Sequence, residues 1–199
     1  MIQEMIKMID FLSSLAMNYL NKYNLIGQSK DEYDHYKYGI EITISSLINL
    51  LLVFSIGILI NRILYSLIFL TIFISLRQIT GGFHAKTYLR CNITMCCSFA
   101  IVALGTTILQ SLPLFIFIIH ILLSILVEYK LCPVENVNKP IEPKCIPKFK
   151  IASIIISSFI SSIGIVIMNS TDYPEYGMCI IMTIIIINIL VIVSQIEKG

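Results

Sequence analysis

Four stretches of this chain contain no Asp, Glu, Lys or Arg: residues 42–61, 91–127, 151–171 and 176–196. A helix needs about 20 apolar residues to cross the hydrocarbon of a bilayer, and each stretch is at least that long. A helix on the outside of a water-soluble protein would carry charge along its solvent face, and these carry none. Only 13% of residues are charged and 57% are hydrophobic, whereas a soluble domain has about a quarter charged. So few charges cannot cover a water-facing surface. The chain is therefore expected to be all-α, a polytopic membrane protein.

Six spans are predicted, at residues 40–60, 63–79, 92–109, 112–129, 151–168 and 176–196. The second is the weakest, because polarity rises after residue 76. The third and fourth must share a tight turn at Gln110-Ser111-Leu112-Pro113. No internal repeat or long linker divides the chain, so residues 1–199 are expected to form one membrane-embedded domain, with 1–38 as an N-terminal region and 40–196 as the bundle. The start does not read as a signal peptide. Acids stand at Glu4 and Asp10, and there is no basic leader or small-residue cleavage site. Residues 1–26 instead show helical spacing, with Ile2, Met5, Ile6, Ile9, Leu12, Ala16, Tyr19 and Tyr23 on one side. Two readings fit: an amphipathic helix lying flat at the membrane interface, or one packed on the cytoplasmic face of the same protein.

Orientation follows from the basic residues, which stay on the cytoplasmic side. With both termini inside, 13 of the 14 Lys and Arg residues are cytoplasmic and Arg62 alone is outside. The outer loop 169–175 has two acids and no base. The chain is thus expected in the cell membrane, with both termini cytoplasmic.

On the same side falls a polar island, Arg77-Gln78-Ile79-Thr80-Gly81-Gly82-Phe83-His84-Ala85-Lys86-Thr87-Tyr88-Leu89-Arg90-Cys91. Polar, irregular chain at membrane depth is tolerated only where it lines a cavity or meets water. A cysteine with a histidine nearby is the minimum set for thiolate catalysis. Cys91 is the candidate nucleophile. The dipole of the third span, together with Lys86 and Arg90, would favour its thiolate. His84 is the candidate general base and acid. In one continuous helix the seven residues between them would rise about 10.5 Å, too far for a hydrogen bond. The second span is therefore predicted to end before His84, with a loop returning the histidine to the start of the third. Gly81-Gly82 would ease that turn.

Other residues are read against plainer roles. Glu41, at the start of the first span, marks the interface or else orients His84. Arg77 is a snorkelling anchor or a ligand for a carboxylate or oxyanion. His120, midway along the fourth span, is expected to hydrogen-bond a neighbouring helix. Cys96, Cys97 and Cys179 fall in apolar spans, where cysteine behaves as a small hydrophobe. No CxxC pair occurs, and His35, His84 and His120 are scattered, so no metal site and no cofactor are expected.

These residues resemble the accessory gene regulator B (AgrB) family of membrane endopeptidases. The resemblance is carried by Gly81-Gly82-Phe83-His84-Ala85 followed by Cys91, with Arg77 seven residues before the histidine. Tyr38-Gly39-Ile40-Glu41, Pro133 and Asn138-Lys139-Pro140 add to it, as do the length, the six spans and the basic central loop. It implies a quorum-sensing role. The substrate would be an AgrD-like propeptide with an amphipathic leader, a short signal segment and an acidic tail. The residue matching Cys91 would cut off the tail and hold the remainder as a thioester, with the histidine matching His84 assisting. A Cys or Ser within the peptide would then close a thiolactone or lactone ring. Arg77 and Gly82 would contact substrate. Lys139, Lys144, Lys148 and Lys150 would attract the acidic tail, although they also satisfy the topology rule alone.

The alternative is a membrane transporter or channel for a small peptide. It would need ionisable groups deep in several spans, and the deep polar residues are few: Asn49, His120 and Asn188. The lipid bilayer is a partner by composition. A homodimer is permitted by the small residues Ser157, Ser158, Ser161, Ser162 and Gly164. Nucleic acid is not an expected partner, since net charge is only +2 and the basic residues follow topology.

Overall fold

The computed structural model describes residues 2–23, 30–81, 88–109, 112–135 and 141–196. Among the described residues seven helices run in chain order: α1 (Ile2–Lys22), α2 (Lys30–Leu59), α3 (Ile63–Thr80), α4 (Tyr88–Leu109), α5 (Leu114–Leu131), α6 (Ile146–Ser170) and α7 (Pro174–Ile196). Six of them, α2 to α7, are long and apolar enough to cross a membrane. The only strand-like feature among the described residues is a single bridge between Gly81 and Val134. The expected all-α membrane fold is what the chain adopts, and the six membrane helices fall near the six predicted spans. The fourth runs to Leu131 and the fifth begins at Ile146, each a little beyond its apolar core.

The residues gather into two compact units. The first comprises residues 1–55 and 85–96. There α1 meets α2 through an ion pair of 2.7 Å between Asp10 and Lys37. Ser13 supports it, donating from its hydroxyl to the Glu41 carboxylate at 3.5 Å. The buried stripe of α1 is Ile9, Ser13 and Met17, spaced by four, while Phe11, Leu12, Leu15, Tyr19 and Tyr23 are exposed. Of the apolar set, Ile9 is buried against the chain, while Leu12, Tyr19 and Tyr23 lie off that face. The polar Ser13 holds that face because Glu41 gives it a partner.

The second unit comprises residues 56–84 and 97–199. Its centre is α7, which packs against α3, α5 and α6 and is buried along most of its length. Its isoleucines have no polar face, as befits a helix surrounded by others. The α6–α7 crossing is close because glycines meet there. A Cβ on Gly177 would strike the Gly164 carbonyl, and one on Gly164 would lie 3.0 Å from the Gly177 carbonyl. Ser153, Ser157, Ser161 and Gly164 recur along one buried face of α6, so much of the small-residue surface that could join two copies is used within the chain. Phe69 stacks on Phe73 and Phe99 to fill the space beside α3.

Two polar contacts in this unit cross between helices. Ser157 donates from its hydroxyl to Glu128 Oε2 at 2.9 Å, with Glu128 only 1% exposed. Asn188 on α7 donates to the Ser124 hydroxyl at 2.8 Å, and that hydroxyl lies 3.2 Å from Nε2 of His120. His120 thus bonds within its own helix, and Ser124 links it to α7.

Candidate active site

Of the residues expected to carry chemistry, His84, Gly82 and Lys139 lie outside the described residues. The others are placed, each within its own unit.

Cys91 is the fourth residue of α4 and is half-buried. It is therefore one turn inside the helix instead of at its first residue, because Tyr88, Leu89 and Arg90 are already helical. Cys91 thus lies in the first turn of α4. All six cysteines are free thiols. Cys132 and Cys179 are buried. Burial, which removes solvent from the thiolate, pushes Cys132 up to about 12, so it is a poor nucleophile at neutral pH.

In the same unit, the residue after Cys91 ties α4 to α2. The Ser45 hydroxyl donates to Asn92 Oδ1 at 3.2 Å, and both side chains are buried. Ser45 lies one turn beyond Glu41 on the same face of α2. Glu41 itself accepts from Ser13 and stands 3.8 Å from Lys37 Nζ. Its partners include the N-terminal helix, a tie the sequence did not suggest. Ser45 and Asn92 were also missed. Nothing in the sequence singled them out, since both spans hold other polar side chains and the two residues are 47 positions apart.

In the second unit, Arg77 occupies the last turn of α3. Its guanidinium stands 5.3 Å from the Phe73 ring centroid, a cation–π distance. Arg77, Phe73, Gly81, Ile187 and Leu190 line a shallow pocket. The α3 helix ends at Thr80, before His84 as expected. Its terminus is fixed by Gly81, whose N–H donates to the Arg77 carbonyl at 3.1 Å and whose φ is 68°. Only glycine takes that backbone conformation without strain.

Around the start of α6, Lys144 and Lys148 are exposed. Lys150 sits 5.3 Å from the Tyr129 ring centroid and is half-buried. Lys144 and Lys148 are thus open to a ligand, whereas Lys150 already packs on an aromatic face. Among the described residues no group of three or more His, Cys, Asp or Glu could hold a metal ion.

Comparison with known proteins gives the family. The family model described as accessory gene regulator B matches residues 13–194. The accessory gene regulator protein B of Staphylococcus intermedius is 28% identical over 157 residues, 78% of this chain and 81% of that protein. An AgrB-like protein of Clostridium perfringens is 31% identical over 148 residues, 71% of this chain and 65% of that protein. No solved structure matches. The family match takes in α2 to α7 almost completely, together with Cys91 and the segment before it, and the chain accordingly belongs to the accessory gene regulator B family of multi-pass membrane proteins.

Proposed function

We propose that this protein is a membrane cysteine endopeptidase that trims and cyclises an AgrD-like signalling precursor at the cytoplasmic rim of the bilayer. The observation that carries this reading is the family match over residues 13–194, which includes both His84 and Cys91. The half-buried thiol in the first turn of α4 supports it.

In the proposed reaction His84 takes the proton of the Cys91 thiol. The thiolate adds to the carbonyl carbon at the end of the signal segment. The C–N bond breaks, and His84 returns the proton to the departing amine of the acidic tail. The leader and signal segment remain on Cys91 as a thioester. A thiol or hydroxyl within the signal segment then attacks that carbonyl. The C–S bond to Cys91 breaks, the ring closes, and Cys91 regains its proton. Cyclisation outruns hydrolysis when the peptide is held curled and water is excluded. Glu41 is proposed to orient the site, Arg77 and Gly82 to contact the peptide, and Lys139, Lys144, Lys148 and Lys150 to draw in the tail.

A membrane setting suits this substrate. An amphipathic leader lies in the interface, so enzyme and precursor meet by diffusion over a surface. The reading is tested in proteoliposomes with a purified precursor. Cys91→Ser and His84→Ala, inserted normally, should each abolish tail release. Full release by Cys91→Ser would exclude Cys91 as the nucleophile, and movement of intact precursor across the bilayer with no tail release by the wild type would favour transport.

A further inference from the structure

Glu128 is an acid on a membrane-spanning helix, and among the described residues no base forms an ion pair with it. It stands in the last turn of α5 and is 1% exposed. Its Oε2 lies 2.9 Å from the Ser157 hydroxyl, while its Oε1 is buried without a hydrogen-bond partner. Lys150, the base at the start of α6, sits on the Tyr129 ring. A lone ionised carboxylate is costly to hold inside a membrane protein unless an opposite charge meets it.

Two further buried oxygens lack partners: Ser161 Oγ on α6 and Asn188 Oδ1 on α7. These residues are 1% and 6% exposed. Helix register brings them near the carboxyl. Ser157 bonds Glu128, and Ser153 lies beside Cys132. The contacts pair a later residue of α5 with an earlier one of α6, so the two helices run antiparallel. Ser161, one turn beyond Ser157, then comes level with Ser124, one turn before Glu128. Asn188 donates through its nitrogen to the Ser124 hydroxyl at 2.8 Å, so its oxygen stands at that level too. One turn is about 5.4 Å. Three unpartnered oxygens, one from each of α5, α6 and α7, therefore fall within about one turn along the bundle.

We propose that Glu128, Ser161 and Asn188 bind one monovalent cation of the sodium class between α5, α6 and α7. The donor set selects this ligand. All three donors are oxygen, which suits a hard cation. The hydroxyl and the amide are neutral, so the set carries the single negative charge of Glu128. A divalent ion would keep a surplus charge inside a span, and no second acid joins the group among the described residues. A proton would neutralise the carboxylate but leave the Asn188 oxygen without a donor. A water molecule would serve Asn188 and Ser161 but leave the carboxylate charge unbalanced. A monovalent cation answers the charge and the open oxygens together.

The test uses the purified full-length chain in detergent at mildly alkaline pH, and it needs no catalytic activity. Radioactive sodium binding is measured by equilibrium dialysis. Thermal midpoints are compared in sodium chloride and choline chloride at equal ionic strength. One sodium ion should bind saturably per chain, and the midpoint should rise with sodium and not with choline, because a ligand of the folded state stabilises it by mass action. Glu128→Gln should abolish both effects. Ser161→Ala separates binding from folding, and it carries the test if Glu128→Gln does not insert. The Ser161 hydroxyl has no partner within the chain, so its loss should leave the midpoint in choline at or above wild type. The same variant should weaken sodium binding by about tenfold, the effect of losing one bond to a charged group. Absence of sodium binding by the wild type, or unchanged binding in the variants, overturns the proposal. So does a midpoint that rises on acidification and ignores sodium, which would give the carboxyl a proton in place of a metal ion.

Discussion

The Ser45 hydroxyl on α2 donates to the side-chain oxygen of Asn92, the residue that follows Cys91. This buried bond joins two helices one residue from the proposed nucleophile. A net buried hydrogen bond contributes about 1 kcal/mol. Ser45→Ala should therefore lower stability by about 1 kcal/mol and, if the bond supports the site, slow tail release. Ser45→Thr should retain the bond and the rate. Leu47→Ala, at an exposed position of the same helix, is the control and should be unchanged. Equal rates for Ser45→Ala and wild type would detach this bond from the site.

The α6–α7 crossing supplies a stability prediction. A Cβ on Gly177 would meet the Gly164 carbonyl and lie 2.7 Å from the Met168 nitrogen. Overpacking of this kind costs about 1–3 kcal/mol, so Gly177→Ala should lower the thermal midpoint followed by circular dichroism in detergent. Gly39 in α2 has nothing within 4 Å of its added Cβ. Gly39→Ala should leave the midpoint unchanged or raise it, since alanine is favoured over glycine in a helix by about 1 kcal/mol.

Glu128 and Ser157 give a second stability test. Hydrogen bonds between membrane helices contribute about 0.6 kcal/mol on average and up to about 1.7. Ser157→Ala should lose an amount in that range. Glu128→Gln keeps an acceptor oxygen facing Ser157 and should be tolerated better than Glu128→Leu, which leaves the hydroxyl facing a methyl group. The same thermal melts rank the three variants.

Cys132 predicts both a labelling pattern and a pH dependence. Its thiol is pushed up to about 12 by burial, against an ordinary value of 9.0. The thiolate is the reactive form, so maleimide at neutral pH should spare Cys132 in the folded protein and modify it after unfolding. Between about pH 9 and 12 the folded state keeps a proton that the unfolded state has released. The folded state then binds more protons, and stability falls as pH rises through that window. Cys132→Ala should flatten this part of the stability curve. An identical alkaline decline in that variant would assign it to other groups.

The spans were legible because hydrocarbon leaves so few options: uncharged runs of about 20 residues become α4, α6 and α7 almost to their ends. Less legible was α2, which begins at Lys30 because helix continues through the polar residues before the apolar core. On α1 the apolar spacing left two readings open and gave no sign of Ser13, which is buried and donates to Glu41 on α2. The burial of Glu128 depends on Ser157, 29 positions away. The end of α3 was anticipated from the spacing of His84 and Cys91. What ends it, the Val134 backbone, is a long-range main-chain contact with no side-chain signature beyond a glycine.

The central proposal is a covalent one, that Cys91 carries the leader and signal segment as a thioester. Its most direct test is intact-protein mass spectrometry after mixing the enzyme with a precursor whose internal Cys or Ser is replaced by Ala. Ring closure is then blocked, and the acyl-enzyme should accumulate. The account predicts an added mass equal to the precursor without its tail, mapped to Cys91 by digestion and absent from Cys91→Ala. An adduct on another cysteine, or tail release by Cys91→Ala at the wild-type rate, would contradict it.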